Sequence, residues 1–322
     1  MRNNFLSSDE LKIVKRSTKA NKLSVKDALK SFIDDCLSRN LRSFTIAYYK
    51  REITAFFKQI KIDNVYEVKQ EHIKQAIRDM RKTHKVTSIN DRLRAIRTFF
   101  NFLVDSKQIK NNPFSGIKLL KDRQKVIKPF TDRQLNLLFR QPDLRTFTGV
   151  RDYTFMMVFL DTGIRLNELY NLDVDDIDLI NKKLHVRAAK GYRERLIPMS
   201  DRLVKQLKIW LRIRGESLEE QALFINLKGQ RISRHQIQMC IKKYGELAGI
   251  NNQVRVSPHT FRHTFARLCV IRGAGVFDLM DLMGHSTMEM AKVYVNYFST
   301  DLDNRKRQFS PLKSLEERKF DQ

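Results

Sequence analysis

Seven side chains in the second half of this sequence belong to types that handle phosphate, and their spacing groups them. Arg165 and Glu168 stand three apart in DTGIRLNEL, a spacing that on a helix lets a carboxylate orient a guanidinium fork. Lys190 falls in AAKGYRERLIP, at the turn of an expected hairpin. His259 and Arg262, again three apart in PHTFRHTFA, can bring an imidazole and a guanidinium to one phosphate from one helix face, with Pro258 suited to the first turn. In LMGHST, Gly284 is expected to end one helix and His285 to open the next, where unpaired N–H groups favour an anion. Tyr294 follows nine residues later in AKVYVNYF. Each has an ordinary reading as well. These are a surface ion pair, a solvated turn lysine, polar residues of a helix (His263 shows that histidines are common here), and a tyrosine packed on an apolar stripe.

Such side chains need a scaffold, and the composition says which kind. The chain has 322 residues, 62 Lys plus Arg against 36 Asp plus Glu, and a net charge of +26. That length suggests about two domains, and 42% hydrophobic residues suffice for a core in each. With 11 glycines and 6 prolines, helices are favoured over a turn-rich all-β fold. No apolar run reaches the ~18 residues needed to span a bilayer, and the N-terminal MRNNFLSSDELKIVKRSTKANK lacks the apolar stretch of a secretory signal. Cys36, Cys240 and Cys269 are scattered, without metal-ligand spacing, and fit reduced thiols in a cytoplasmic protein. Residues 1–127 carry 29 basic and 13 acidic residues, and the remainder 33 and 23, so both parts are basic. The expected partner is a polyanion, because Lys and Arg neutralise phosphates and release condensed counterions.

Along the chain, residues 1–22 read as a polar, basic arm. From the N-cap candidate Ser24, four amphipathic helices follow in VKDALKSFIDDCLSRN, TIAYYKREITAFFKQI, EHIKQAIRDMRK and SINDRLRAIRTFFNFLVDS, and read as a compact bundle over 23–106. The last is expected to turn Ile89, Leu93, Ile96, Phe99, Phe100 and Leu103 inward and to leave Arg92, Arg94 and Arg97 for solvent or phosphate. Pro113, Gly116 and Pro129 break the helical period, so 107–127 read as a basic linker. The second half opens at the N-cap candidate Thr131. It continues through helices in RDYTFMMVFLDTG and IRLNELYNLDVDDIDL, an alternating hairpin in KKLHVRAAKGYRERLIPM, and further helices to TMEMAKVYVNYF. The fold class is therefore mainly α: a helical bundle, then a mostly helical unit with a small antiparallel sheet.

The order TGIRLNEL, hairpin lysine, HTFRH, LMGHS and a tyrosine nine residues on resembles the tyrosine recombinases, or phage integrase family. The similarity covers roughly residues 128–300, and the preceding bundle fits the family's SAM-like core-binding domain, leaving 301–322 as a C-terminal tail. The resemblance implies catalytic roles for Arg165, Lys190, His259, Arg262, His285 and Tyr294, with Glu168 in support. Ala189 stands where many members have Gly before the lysine, which leaves Arg193 as an alternative occupant. Tyr297 competes with Tyr294, and the nine-residue interval favours Tyr294.

The residue types suit phosphodiester exchange. A tyrosine with a pKa near 10 is a weak nucleophile unless its phenolate is stabilised as the bond forms. Arg165 and Arg262 can each donate two hydrogen bonds to non-bridging oxygens, and His285 another. Lys190 would protonate the departing 5′ oxygen, and His259 would accept or hold the tyrosine proton. A 3′-phosphotyrosyl link conserves the bond energy, so no cofactor, ATP or metal is expected. Asp173, Asp175, Asp176 and Asp178 read as a helix-to-strand turn rather than a metal site. The resemblance further implies double-stranded DNA as partner, self-association into a tetrameric synapse on DNA, and accessory DNA-bending or directionality proteins. The leading function is a site-specific recombinase, either an integrase of a mobile element or a Xer-type resolvase. The alternatives are a type IB topoisomerase-like enzyme, a DNA-binding protein with a decayed site, and a helical scaffold unrelated to nucleic acid.

Overall fold

The computed structural model describes residues 23–121, 128–187, 194–216, 220–284, 287–288, 291–292 and 294–295. The N-terminal arm, the end of the linker, Ala189, Lys190, Arg193, His285, Tyr297 and the C-terminal tail lie outside them. The chain divides into two compact units, Met1–Lys125 and Val126–Gln322. Among the described residues there are eleven α-helices and one three-stranded sheet, and no helix is long and apolar enough to cross a membrane.

In the first unit, helices α1 (Val25–Ser38), α2 (Ser43–Ile60), α3 (Gln70–Met80) and α4 (Val86–Asp105) enclose one core. Ser24 caps α1 by accepting the Asp27 N–H at 3.0 Å. The apolar stripe of α4 is buried as the sequence suggested, with Leu93, Ile96, Phe99, Phe100 and Leu103 all fully inaccessible. Phe32, Phe57 and Phe99 meet edge to face at 5.6–5.9 Å, a geometry that adds to their area burial. The polar face of α4 differs from expectation. Arg92 pairs with the buried Glu52 at 2.9 Å, and Arg97 donates to the Ile117 carbonyl at 2.6 Å and lies over the Phe114 ring. Both arginines close the bundle. Arg94 stays exposed beside Asp91.

In the second unit, Thr131 and Gln134 form a reciprocal capping box at the start of α5 (Asp132–Phe139). The almost wholly buried α6 (Phe147–Thr162) runs through the core, and the short α7 (Leu166–Asn171) follows. The segment IRLNELYNLDVDDIDL is helical only in its first part: the helix stops at Asn171, and the aspartates lie in the helix-to-strand turn expected of them, with a 3-10 turn over Val174–Asp176 before β1 (Ile177–Asp178). The aspartates decide this. Asp176 accepts the Asp173 N–H, and Asp173 and Asp176 hold Arg187, while Asp173 also holds Arg231. Asp178 caps the next turn through the N–H groups of Ile180 and Asn181. Strand β2 (Lys183–Val186) pairs antiparallel with β1 on one side and with β3 (Arg195–Pro198) on the other. Leu184 faces Ile197 across the sheet, and both are buried in the main core.

Among the described residues, four further helices follow: α8 (Asp201–Arg214), α9 (Arg234–Leu247), α10 (Pro258–Ile271) and α11 (Val276–Met283). Trp210 of α8 is fully buried and donates its indole N–H to the Leu223 carbonyl at 2.8 Å. A buried Arg151–Asp152 pair is satisfied by the Ile225 carbonyl and the Tyr244 hydroxyl, so no charge is left uncompensated.

Helix α6 ends at Gly163, whose φ of +62° is the left-handed conformation that glycine adopts without a Cβ penalty. A Cβ here would lie 2.3 Å from Cδ1 of Phe265 on α10. Gly163→Ala is therefore expected to destabilise the second unit by ~1–3 kcal/mol or more through backbone strain and displacement of that ring. Urea unfolding measures it, and an unchanged midpoint would show that the helix end can be rebuilt.

Candidate active site

Four helix ends and one strand bring the candidate side chains together. The turn after α6 delivers Arg165, which sits at the N-cap of α7 rather than within a helix. Glu168, at the third position of α7, reaches back with Oε2 to the Arg165 backbone N–H at 2.8 Å, and Oε1 accepts from Arg165 Nη1 at 3.0 Å. The three-residue spacing thus works as a cap, which fixes both the start of the helix and the direction of the guanidinium.

Helix α10 carries the next pair. Ser257 caps it by accepting the Thr260 N–H, Pro258 fills its first turn, and the Phe130 N–H donates to Thr264 at 2.9 Å, anchoring the helix to the segment that opens the unit. Arg262 is 4% exposed. Its Nη1 donates to the carbonyl of Gly163 and its Nη2 to that of Met283, each at 2.7 Å. These oxygens close two helices, so the buried cation sits between two partial negative charges. Burial, with Arg165 nearby, still pulls its pKa down to about 10, which leaves it protonated at neutral pH. His259 lies one turn earlier, at the surface. Partial burial of its ring and the charges of Arg255, Arg262 and Arg165 hold it below the ordinary imidazole range, so it is neutral at pH 7 and able to accept a proton.

Tyr294 packs as the apolar-stripe reading expects. Its ring packs against the cluster of Phe265, Ala266, Val270, Leu279, Met283 and Ala291, while Arg262 and Arg165 act on its hydroxyl. Burial raises the phenol's pKa, and Arg262 and Arg165 oppose that rise. The described residues therefore unite Arg165, Glu168, His259, Arg262 and Tyr294. Gly284, with φ of +61°, ends α11 as expected.

Two further residues belong to the cluster. Arg195 of β3 is buried against Glu168, and its place on the inward face of the strand with Ile197 was the available signal, a cation where the alternation calls for an apolar residue. His263 packs against Tyr294 with the rings tilted by 41° and their centroids 5.2 Å apart, and burial with neighbouring His259 and Arg262 lowers its pKa to about 4. An unfolded chain protonates this imidazole near pH 6.5 while the folded one stays neutral, so stability is lost as pH falls from about 6.5 to about 4. His263→Gln is expected to flatten the fall in unfolding free energy across that window. An identical slope in both proteins would place the proton uptake elsewhere.

Comparison with known proteins places the chain in a family. Residues 121–300 match the model of the phage integrase family, and residues 29–107 match the phage integrase N-terminal SAM-like domain. The tyrosine recombinase XerC of Thermodesulfovibrio yellowstonii is 31% identical over 268 residues, covering 81% of this chain and 88% of its own. XerD of Staphylococcus epidermidis is 28% identical over 285 residues, covering 85% of this chain and 95% of its own. Among solved structures, a lambda integrase dimer bound to a COC′ core site shares the fold with a TM-score of 0.74 at 16% identity, covering 96% of this chain and 83% of that one. XerH bound to a palindromic difH substrate in a post-cleavage complex shares it with a TM-score of 0.70 at 16% identity, covering 97% and 91%. With a family match that spans the whole arginine, histidine and tyrosine cluster, this protein belongs to the phage integrase family, the tyrosine recombinases.

Proposed function

We propose that the protein is a site-specific recombinase that cuts and rejoins double-stranded DNA through a 3′-phosphotyrosyl intermediate on Tyr294. One observation carries this reading: Tyr294 packs on the cluster that contains Met283, whose carbonyl holds the buried Arg262, and both Arg262 and Arg165 act on its hydroxyl. A phosphate bound by these two arginines meets the tyrosine oxygen and the charge-stabilising donors at one place. Arg165 and Arg262 stabilise the pentacoordinate phosphorane as negative charge develops. His259, neutral before reaction, takes the phenolic proton. Lys190 protonates the leaving 5′ oxygen and His285 adds a donor; these two assignments rest on the sequence motifs alone. The product bond stores the energy for the reverse attack by a 5′ hydroxyl, so strands exchange without hydrolysis.

Recombination requires paired sites, and a tetrameric synapse of this chain on DNA is the assembly that supplies four nucleophiles. A solved lambda integrase tetramer is bound to a Holliday junction, which supports that stoichiometry for a protein of this fold. The test uses a suicide substrate, nicked near the cleavage point so that the freed end diffuses away. The full chain is expected to accumulate a covalent protein–DNA adduct, and sequencing the trapped DNA reads out the target. Recombination between two plasmids, rather than relaxation of one, separates a recombinase from a type IB topoisomerase-like enzyme. No adduct on any DNA would overturn the reading.

A further inference from the structure

Arg195 occupies a position that the reaction chemistry described above does not use. It stands at the start of β3, with its side chain 8% exposed, and every nitrogen of its guanidinium has a partner. Nη2 and Nη1 donate to the two oxygens of Glu168 at 2.9 and 3.2 Å, and Nε donates to the carbonyl of Leu282 at 3.0 Å. Glu168 is the same carboxylate that holds the Arg165 backbone N–H and guanidinium. The carbonyls of Leu282, Met283 and Gly284 close α11, and they accept from Arg195, from Arg262, and at 3.4–3.5 Å from Arg165. A Cβ at Gly284 would lie 2.7 Å from Arg195 Nη1, so the helix end and the guanidinium are fitted to one another.

Charge balance gives this contact a consequence. One carboxylate shared by two guanidiniums leaves a net positive charge beside the reacting phosphate. If Arg195 were absent, Glu168 would neutralise Arg165 alone and draw its fork into a tight pair, away from an incoming phosphate. The helix end would also lose a donor on a buried carbonyl. We propose that Arg195 is a positioning residue for the recombination reaction: by sharing Glu168 and capping α11, it holds Arg165 aimed at the phosphate and keeps the site cationic. This rests on the phosphotyrosyl reading above and adds a residue to it.

The test compares two scissile linkages in single-turnover cleavage by the full chain: an ordinary phosphate and a methylphosphonate, in which a methyl group replaces one charged oxygen. A neutral linkage needs less cationic stabilisation, so a misaimed arginine matters less, whereas a damaged fold matters equally for both. Arg195→Met is expected to slow cleavage of the phosphate ~10–100-fold, with affinity for a single DNA site within about threefold. On the methylphosphonate, the gap to wild type is expected to narrow to a few-fold. Arg195→Lys, which keeps the charge but not the fork, is expected to fall between, and it carries the same comparison if the methionine variant fails to fold. Combined with Glu168→Gln, the two losses are expected to be strongly less than additive, because both act through one contact. Equal losses on the two linkages, or additive losses in the double variant, would show that Arg195 only supports the fold. Wild-type cleavage by both Arg195 variants would overturn the proposal and leave the phosphotyrosyl reading standing. Absence of any adduct with the wild-type chain would overturn that reading itself.

Discussion

Tyr294→Phe is expected to abolish covalent attachment to DNA while leaving DNA affinity within a few-fold of wild type. The two effects separate because they arise from different surfaces. Affinity in so basic a chain is dominated by many phosphate contacts, of which the tyrosine hydroxyl is at most one. The covalent step has no substitute for that oxygen. Phenylalanine preserves the ring's packing on the Phe265, Leu279 and Met283 cluster and against His263, so the variant is expected to fold normally. The hydroxyl it lacks belongs to a half-buried side chain, with a pKa raised by burial and pulled back by Arg262 and Arg165. On the proposed reading, its phenolate forms when those arginines and the accepting base act together on a bound phosphate. Gel-shift titration and suicide-substrate trapping measure the two quantities side by side. A protease-sensitive adduct at wild-type level would transfer the nucleophile to another tyrosine, with Tyr297 next to be tested.

What could be read from the residues was mostly what neighbours decide. Ser24 and Thr131 cap their helices because each accepts an N–H three residues ahead, and the sequence displays that spacing directly. The links from Arg165 to Glu168 and from His259 to Arg262 are equally local. Long-range partners were not legible. Arg92 looked solvent-facing until folding set it against Glu52, forty residues earlier, and Arg97 finds a backbone carbonyl at Ile117. The turn at the acidic run was legible, but not what holds it: Asp173 and Asp176 are committed to Arg187 and Arg231, arginines that no local pattern connects to them. The same holds at the site. Arg195 joins Glu168 and Leu282 only through the sheet and α11, and motif spacing ranks it as one more basic residue of a hairpin. Tyr294 shows the complementary case, since an apolar stripe made its packing legible. Its ring is core, and Arg262 and Arg165 act on its hydroxyl.

The second large effect is expected at Arg262, where the fold and the chemistry depend on one guanidinium. Arg262→Ala would strip the carbonyls of Gly163 and Met283 of their buried donor, with unsatisfied acceptors costing ~1–3 kcal/mol each. It would also remove a cation that acts on the Tyr294 hydroxyl. A slower reaction in that variant would therefore mix instability with lost catalysis. Arg262→Lys separates them. An ammonium keeps the charge between the two helix ends, and it can satisfy one of the carbonyls. It cannot span both and grip a phosphate, because its donors radiate from a single nitrogen rather than from a fork. The lysine variant is expected to lose less stability than the alanine variant in urea unfolding, yet to cleave ~100-fold or more slowly than wild type, the scale for losing one preorganised donor to developing charge. Cleavage by Arg262→Lys at the wild-type rate would show that a point charge suffices there. Arg165, which already shares its carboxylate with Arg195, would then be the only arginine whose fork geometry the reaction needs.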